Sequence, residues 1–381
     1  MADPADLDTF ADGPTPPERP DDARELRRGW TTGACAAAAA RAAAEALLTG
    51  RFPDPVTITL PQGQRPAFPL ARAELSAGRA VAAVTKDAGD DPDVTHGALI
   101  VAAVERGAPR SGVTFRAGEG VGTVTRAGLT LAVGEPAINP APRAQIRQAL
   151  ADAAAAAGAA GTALDFVVTV AIPGGIRLAE KTLNARLGIV GGLSVLGTSG
   201  VVVPYSCAAW IHSIHRGIDV ALAAGLQHIA AATGSTSEAA VKAMHNLDDV
   251  ALIDMGDFVG GTLKYLRSHP VARLTIAGGF AKLAKLAAGH LDLHSSRSRV
   301  DNEALSLLLG DVGAGADLRT EAAAAASAGE VLQLATAAGL PLADVVARRA
   351  RDVVLATLAG GTAVDVAVFD RQGKLIGRAG P

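Results

Sequence analysis

Apolar and polar residues change their rhythm near position 165, and the change predicts two domains of different layout. Before it, an alanine-rich run predicts a helix over 34–48, and stretches of alternating or β-branched residues predict strands over 56–60 and 80–86. A helix is expected over 98–105, two strands around 113–115 and 129–133, and a further helix over 142–157. Antiparallel-looking strands mixed with helices predict an α+β layer domain over 25–164. From Asp165 onward strands and helices alternate at short spacing. Strands are expected over 166–172, 200–203, 228–232, 250–254 and 274–277, and helices over 207–224, 237–244, 258–267 and 282–288. That order predicts an α/β domain over 165–381 with a parallel sheet wound in Rossmann-like fashion, and a last strand over 364–370 returning to one of the sheets.

Composition narrows the picture. A chain of 381 residues is too long for one ordinary core, which agrees with two domains. A formal net charge of -3 implies no broad basic surface and argues against a nucleic-acid partner. Only Cys35 and Cys207 are present, which fits a reducing cytoplasm better than a disulfide framework. The start, Met1-Ala2-Asp3-Pro4, does not read as a signal peptide, and residues 1–24 are rich in proline and acid, so a disordered tail is expected there. Residues 187–211 carry no charge and are long enough to span a bilayer, yet Gly188, Gly191, Gly192, Gly197, Gly200 and Pro204 suit buried strands and turns. No membrane partner is expected.

Candidate chemistry is densest in Lys86-Asp87-Ala88-Gly89-Asp90-Asp91-Pro92-Asp93-Val94-Thr95-His96-Gly97. Gly89 and Pro92 forbid a regular helix through its middle, so the acids sit on a turn after a strand. Capping of a helix from about Thr95 is the plainer role for them. A calcium loop is disfavoured, because its alternating acids and distal glutamate are missing. Five further segments accompany this one. They are Arg28-Gly29-Trp30-Thr31-Thr32-Gly33-Ala34-Cys35; Gly134-Glu135-Pro136-Ala137-Ile138-Asn139-Pro140; Ile172-Pro173-Gly174-Gly175 through Glu180-Lys181-Thr182 to Gly200; Ile253-Asp254-Met255-Gly256-Asp257; and Lys282-Leu283-Ala284-Lys285 through His294-Ser295. Together the six closely resemble the CbiD family, from about Leu26 to about Gly377.

That resemblance implies methyl transfer from S-adenosylmethionine to ring carbon C1 of cobalt-precorrin-5B in the anaerobic cobalamin pathway. The cobalt would arrive inside the corrinoid substrate, so no protein-bound metal is expected, and the chain has neither a CxxC pair nor an HExxH helix. The rival readings are a metal-dependent hydrolase or transferase using the acidic cluster, and a non-catalytic corrinoid carrier. Sequence leaves oligomeric state open, with a homo-oligomer among the options.

Glycines recur at the predicted strand ends, at Gly174, Gly175, Gly234, Gly256, Gly278 and Gly279, and in an open parallel sheet ligands bind outside those ends. Asp254 and Asp257 are candidates for the cofactor's ribose and sulfonium, and Thr233, Gly234 and Ser235 for its carboxylate. The string Gly118-Glu119-Gly120-Val121-Gly122 is expected to be a hairpin turn rather than a dinucleotide fingerprint. The carboxylate arms of the ring need cations and hydrogen-bond donors. Thr31, Thr32, Lys86, Asp90, Asp93, Glu135, Asn139, Lys181, Arg186, Lys282 and Ser295 are the substrate-side candidates, with Arg28, Arg143 and Lys285 as further cations. His294 and His96 are candidates for proton handling, His294 being favoured, with Asp87 and Asp91 beside them. Cys35 stands where a helix dipole would lower its pKa, although methyl transfer needs no covalent intermediate. His212 and His215, three apart on one helix, read as structural.

Overall fold

The computed structural model describes residues 25–159, 161 and 164–380; the tail over 1–24, with the disorder expected of it, lies outside them. The chain separates into two compact units, one ending at Ser206 and one beginning at Cys207.

The N-terminal unit is a mixed five-stranded sheet covered on one face by two helices. Its strands run in the order Arg72–Ser76, Arg79–Thr85, Leu99–Arg106, Phe166–Ala171, Val113–Ala117, all neighbours antiparallel except the last pair. Helix Thr32–Thr49 presents alanine at almost every position, which lets its backbone lie close to Ala80, Ala82, Val84, Ile100, Ala102 and Val104, all 0 to 1% exposed. Burying each of the larger side chains contributes about 1.5–3 kcal/mol. Thr31 caps that helix by accepting the Ala34 N–H at 3.2 Å. Helix Pro140–Ala156 packs beside it.

Three expectations are corrected here. The helix expected over 98–105 is strand Leu99–Arg106. Its Ile-Val-Ala-Ala-Val run is buried on both faces, so it shows no alternation to separate strand from helix, and pairing on both edges decides the outcome. Strand Phe166–Ala171 belongs to this sheet and not to the next unit, which moves the division from 164/165 to 206/207. Residues 118–122 form no hairpin. Strand Val113–Ala117 pairs with Phe166–Ala171, Thr123–Val124 pairs with Ile189–Val190, and no strand forms over 129–133.

The C-terminal unit holds the order Leu252–Asp254, His228–Ala232, Arg273–Gly279, Ala363–Phe369, Leu375–Ala379, four parallel strands and an antiparallel edge. Helices Ser235–His245, Val259–Ser268 and Phe280–Ala287 follow the first three strands in sequence. The expected strand over 364–370 is Ala363–Phe369, and it joins this sheet. Between 302 and 358, where the pattern assigns nothing, stand four helices, the longest Leu342–Leu358. At the amino ends of the strands Arg273 Nε meets Asp365 Oδ2 at 2.5 Å and His228 Nε2 lies 2.8 Å from Thr275 Oγ1. Burial pushes His228 down to about 4, so this end is a neutral-histidine structural clamp.

Candidate functional site

The opposite, carboxyl ends of the C-terminal strands form one rim. Pairing sets Ala232 beside Asp254 and beside Ala277, so Thr233-Gly234, Asp254-Met255-Gly256 and Gly278-Gly279 gather at the same end of three strands, Gly278 and Gly279 still paired with Val368 and Phe369. The first strand lies between the second and third, which is the switch point of the winding and the usual ligand crevice of such sheets. Thr233 donates its N–H to the Ala277 carbonyl at 2.9 Å, and a Cβ on Gly278 would come within 2.8 Å of Thr233 Oγ1, so only glycine lets the two turns close up. Gly256 has φ +55, a left-handed turn that favours glycine. Ser235 opens an eleven-residue helix, with Ser237 Oγ donating to the Gly234 carbonyl at 2.8 Å.

A second strand of contacts borders this rim. Asp257, 5% exposed, is bound by the Lys282 ammonium. Its carbonyl accepts the Leu293 N–H at 2.9 Å, which lays Leu293-His294 along the same turn. His294 Nδ1 lies 2.7 Å from Ser296 Oγ and accepts the Ser296 N–H at 3.2 Å, while Ser295 is exposed. Lys285 points inward to the Leu293 carbonyl at 2.8 Å, and burial lowers its pKa against the pull of Asp257. It holds the loop in place and is not a cation offered to a ligand.

In the N-terminal unit the acidic segment is a turn, as expected, but its side chains face the protein. Lys86 is 2% exposed and donates to Asp93 and Thr95, while Asp93 also accepts the Thr95 N–H at 2.7 Å. Burial draws Asp93 upward, but the Lys86 charge and these bonds outweigh it and hold the carboxyl below its usual range. Asp87 is gripped by both Arg27 guanidinium nitrogens, at 2.5 and 2.9 Å, which holds it down to about 2. Asp90 accepts the Arg27 N–H at 2.7 Å. Asp91 is pushed up by burial, opposed by the Tyr205 N–H it accepts at 2.9 Å. His96 Nδ1 accepts the Ala88 N–H at 3.1 Å, which ties the ring to the turn. The helix expected to follow Thr95 is absent, so the acids staple the turn and do not cap a helix.

Other candidates scatter. Gly174 and Gly175 leave a strand of the N-terminal sheet, so they are not on the parallel-sheet rim; a Cβ on Gly175 would lie 2.4 Å from the Gly120 carbonyl oxygen. Glu135 pairs with Arg143 at 2.7 Å, and Arg143 also donates to the Ile138 and Pro136 carbonyls, which makes it a loop staple. Asn139 precedes helix Pro140–Ala156 without a side-chain cap bond. Thr31 and Thr32 are buried at the start of the first helix. Lys181 is exposed on the loop that also carries Arg186. Arg28 is exposed, whereas Arg27, one residue earlier, turns out to anchor the acidic turn. No local pattern marks it, because its partner lies sixty positions away.

Two expectations about reactive groups are settled. Cys35 is wholly buried and burial pushes its thiol up to about 12, which overrides any helix dipole and removes it as a nucleophile. His215 stacks on Tyr265, ring centres 3.9 Å apart, and is structural as expected. Among the described residues no group of three or more His, Cys, Asp or Glu could hold a metal ion, and no helix is long and apolar enough to cross a membrane.

Comparison with known proteins bears on both units. The CbiD family model matches residues 19–204, and the model described as "CbiD, C-terminal domain" matches residues 292–380. The chain is 61% identical over 356 residues to a Bradyrhizobium sp. protein named cobalt-precorrin-5B C(1)-methyltransferase, covering 93% of this chain and 94% of that one. A protein of the same name from Methylorubrum extorquens is 59% identical over 352 residues, with 92% and 97% covered. Among solved structures, the cobalamin biosynthesis protein (cbiD) from Archaeoglobus fulgidus is 29% identical, covering 71% of this chain and 83% of that one, with a TM-score of 0.39.

Proposed function

The chain belongs to the CbiD family, and from that premise we propose that S-adenosylmethionine binds at the carboxyl-end rim of the C-terminal unit. The reaction is methylation of cobalt-precorrin-5B at ring carbon C1, a step of cobalamin biosynthesis. The methyl group leaves a sulfonium, which becomes a neutral thioether, and forms a C–C bond to the ring, while a proton is released as the ring rearranges. The protein's work is to orient the two reactants, exclude water and take up that proton.

One observation carries the cofactor assignment: three adjacent parallel strands, the first lying between the second and third, deliver Thr233-Gly234, Asp254 and Gly278 to one rim. In this reading Asp254 accepts from the ribose hydroxyls, and the amides at Thr233, Gly234 and Ser235 receive the amino-acid carboxylate. Gly256, Gly278 and Gly279 allow close approach of the cofactor. Asp257, bound by Lys282 and carrying Leu293 on its carbonyl, sets the position of His294 instead of touching the ribose. The acidic turn supports no metal-dependent hydrolysis, since Asp87, Asp90, Asp91 and Asp93 each accept from a protein donor.

Asp254→Ala should weaken S-adenosylmethionine binding by roughly 1–3 kcal/mol, the scale of a lost hydrogen bond to a charged group. Titration calorimetry on a variant with unchanged thermal unfolding tests this. Undiminished affinity would place the cofactor elsewhere.

A further inference from the structure

Some cations of this protein are spent on neighbours: Arg27, Arg72, Arg79, Arg143, Arg273 and Lys282 all stand in ion pairs. Arg126, Arg177 and Lys181 differ. Each is exposed, and none is in an ion pair among the described residues. They lie on one structure, the loop that runs from Gly174 to Val190 and the segment after Thr123–Val124 that packs on it. The Thr125 N–H and hydroxyl both donate to the Gly188 carbonyl, at 2.7 and 2.8 Å. The Arg126 side chain lies across Gly188 so closely that a Cβ there would come within 2.5 Å of it. The same loop exposes two large apolar side chains, Ile176 at 56% and Val190 at 58%.

The loop is also held rigidly. A Cβ on Gly175 would approach the Gly120 carbonyl oxygen to 2.4 Å, and one on Gly192 would approach it to 2.2 Å, so three glycine backbones interlock at its base. Buried Asn184 donates to the Gly192 carbonyl at 3.3 Å from inside the loop. Free cations on a fixed backbone bind anions without first ordering a flexible segment. Apolar side chains among them suit a ligand with apolar faces and ionised edges better than a bare phosphate or a nucleic-acid backbone.

We infer that this loop, with Arg126 upon it, holds the carboxylate arms of the ring substrate, Arg126, Arg177 and Lys181 each meeting an arm and Ile176 and Val190 lying against the ring face. The assignment rests on the reaction proposed above. It is tested with the full-length protein and two stable cobalt corrinoids, cobyrinic acid and its fully esterified derivative, whose binding is read from the visible absorption of the cobalt ring. The wild-type protein should prefer the acid. The double variant R177Q/K181Q should bind the acid about tenfold more weakly or worse, with the ester and S-adenosylmethionine unaffected. A charge-conserving R177K/K181R variant should retain most of the affinity. Equal binding of acid by R177Q/K181Q and the wild type, or equal binding of acid and ester by the wild type, overturns the inference. So does loss of affinity in R177K/K181R, which would make the two side chains structural. Failure of the underlying reaction looks different: the wild type would then bind the acid yet move no labelled methyl onto its natural ring.

Discussion

Lys86→Met should destabilise the N-terminal unit by about 3–5 kcal/mol, the cost of removing one partner from a buried ion pair. Lys86 is 2% exposed and its ammonium is the charge that keeps Asp93 ionised; without it Asp93 is left partly buried with only Thr95 for company. The carboxyl must then protonate or pull the turn open toward water. Either response loosens Thr95 and, through it, the strand pairing between Arg79–Thr85 and Leu99–Arg106, since the Lys86 carbonyl and N–H bracket Gly97 and Ala98. Urea unfolding measures the loss. The double variant Lys86→Met/Asp93→Asn should recover much of it, because no charge is then stranded. A single-variant cost below about 1 kcal/mol would mean that the pair is solvated and that the turn owes its shape to Gly89 and Pro92 alone.

The largest effect on chemistry is expected at His294. Its alanine variant should lose about 10²- to 10⁴-fold in turnover while S-adenosylmethionine affinity stays near that of the wild type, the pattern of a missing proton acceptor. The position follows from the backbone: Asp257 carries Leu293 on its carbonyl, and Lys282 and Lys285 fix Asp257 and the Leu293 carbonyl from below. Ser296 meets His294 Nδ1 with both its hydroxyl and its backbone N–H. His96 lies on the acidic turn, where its Nδ1 holds the Ala88 N–H, and its loss should affect the turn more than the chemistry. Single-turnover measurements separate the two. Wild-type rates in His294→Ala would send the proton to solvent or to a carboxylate.

Much of the C-terminal unit was legible because strands there are short and apolar, and two are closed by glycine, at Ala232-Thr233-Gly234 and Ala277-Gly278-Gly279. The rim follows from that punctuation alone. The N-terminal sheet was harder. Leu99–Arg106 is apolar on both faces, so nothing periodic distinguishes it from a helix, and its strand character comes from partners at Arg79–Thr85 and Phe166–Ala171. Phe166–Ala171 looked like the first strand of a new domain because its neighbours in sequence are a helix and a glycine turn, and only pairing assigns it to the earlier sheet. The acidic turn was visible as chemistry but not as structure. Four carboxylates in one segment draw attention as catalysts, whereas the partners that engage them, Arg27 and the Tyr205 N–H, lie 63 positions before Asp90 and 114 after Asp91. Small-residue packing had the same effect on Cys35. A helix start argues for a reactive thiol, and the burial that silences it is a property of the assembled core.

Methyl transfer from S-adenosylmethionine to C1 of the cobalt ring is the reaction proposed for this chain. Incubating the purified protein with S-adenosylmethionine carrying an isotopically labelled methyl group and with cobalt-precorrin-5B tests it most directly, the label being located on the product by nuclear magnetic resonance. One labelled methyl on ring carbon C1 is expected, formed with loss of one methyl from the cofactor, and slower transfer when Asp254→Ala replaces the wild type at a cofactor concentration below the variant's dissociation constant. A ring that stays unlabelled, or a label at any carbon other than C1, contradicts it.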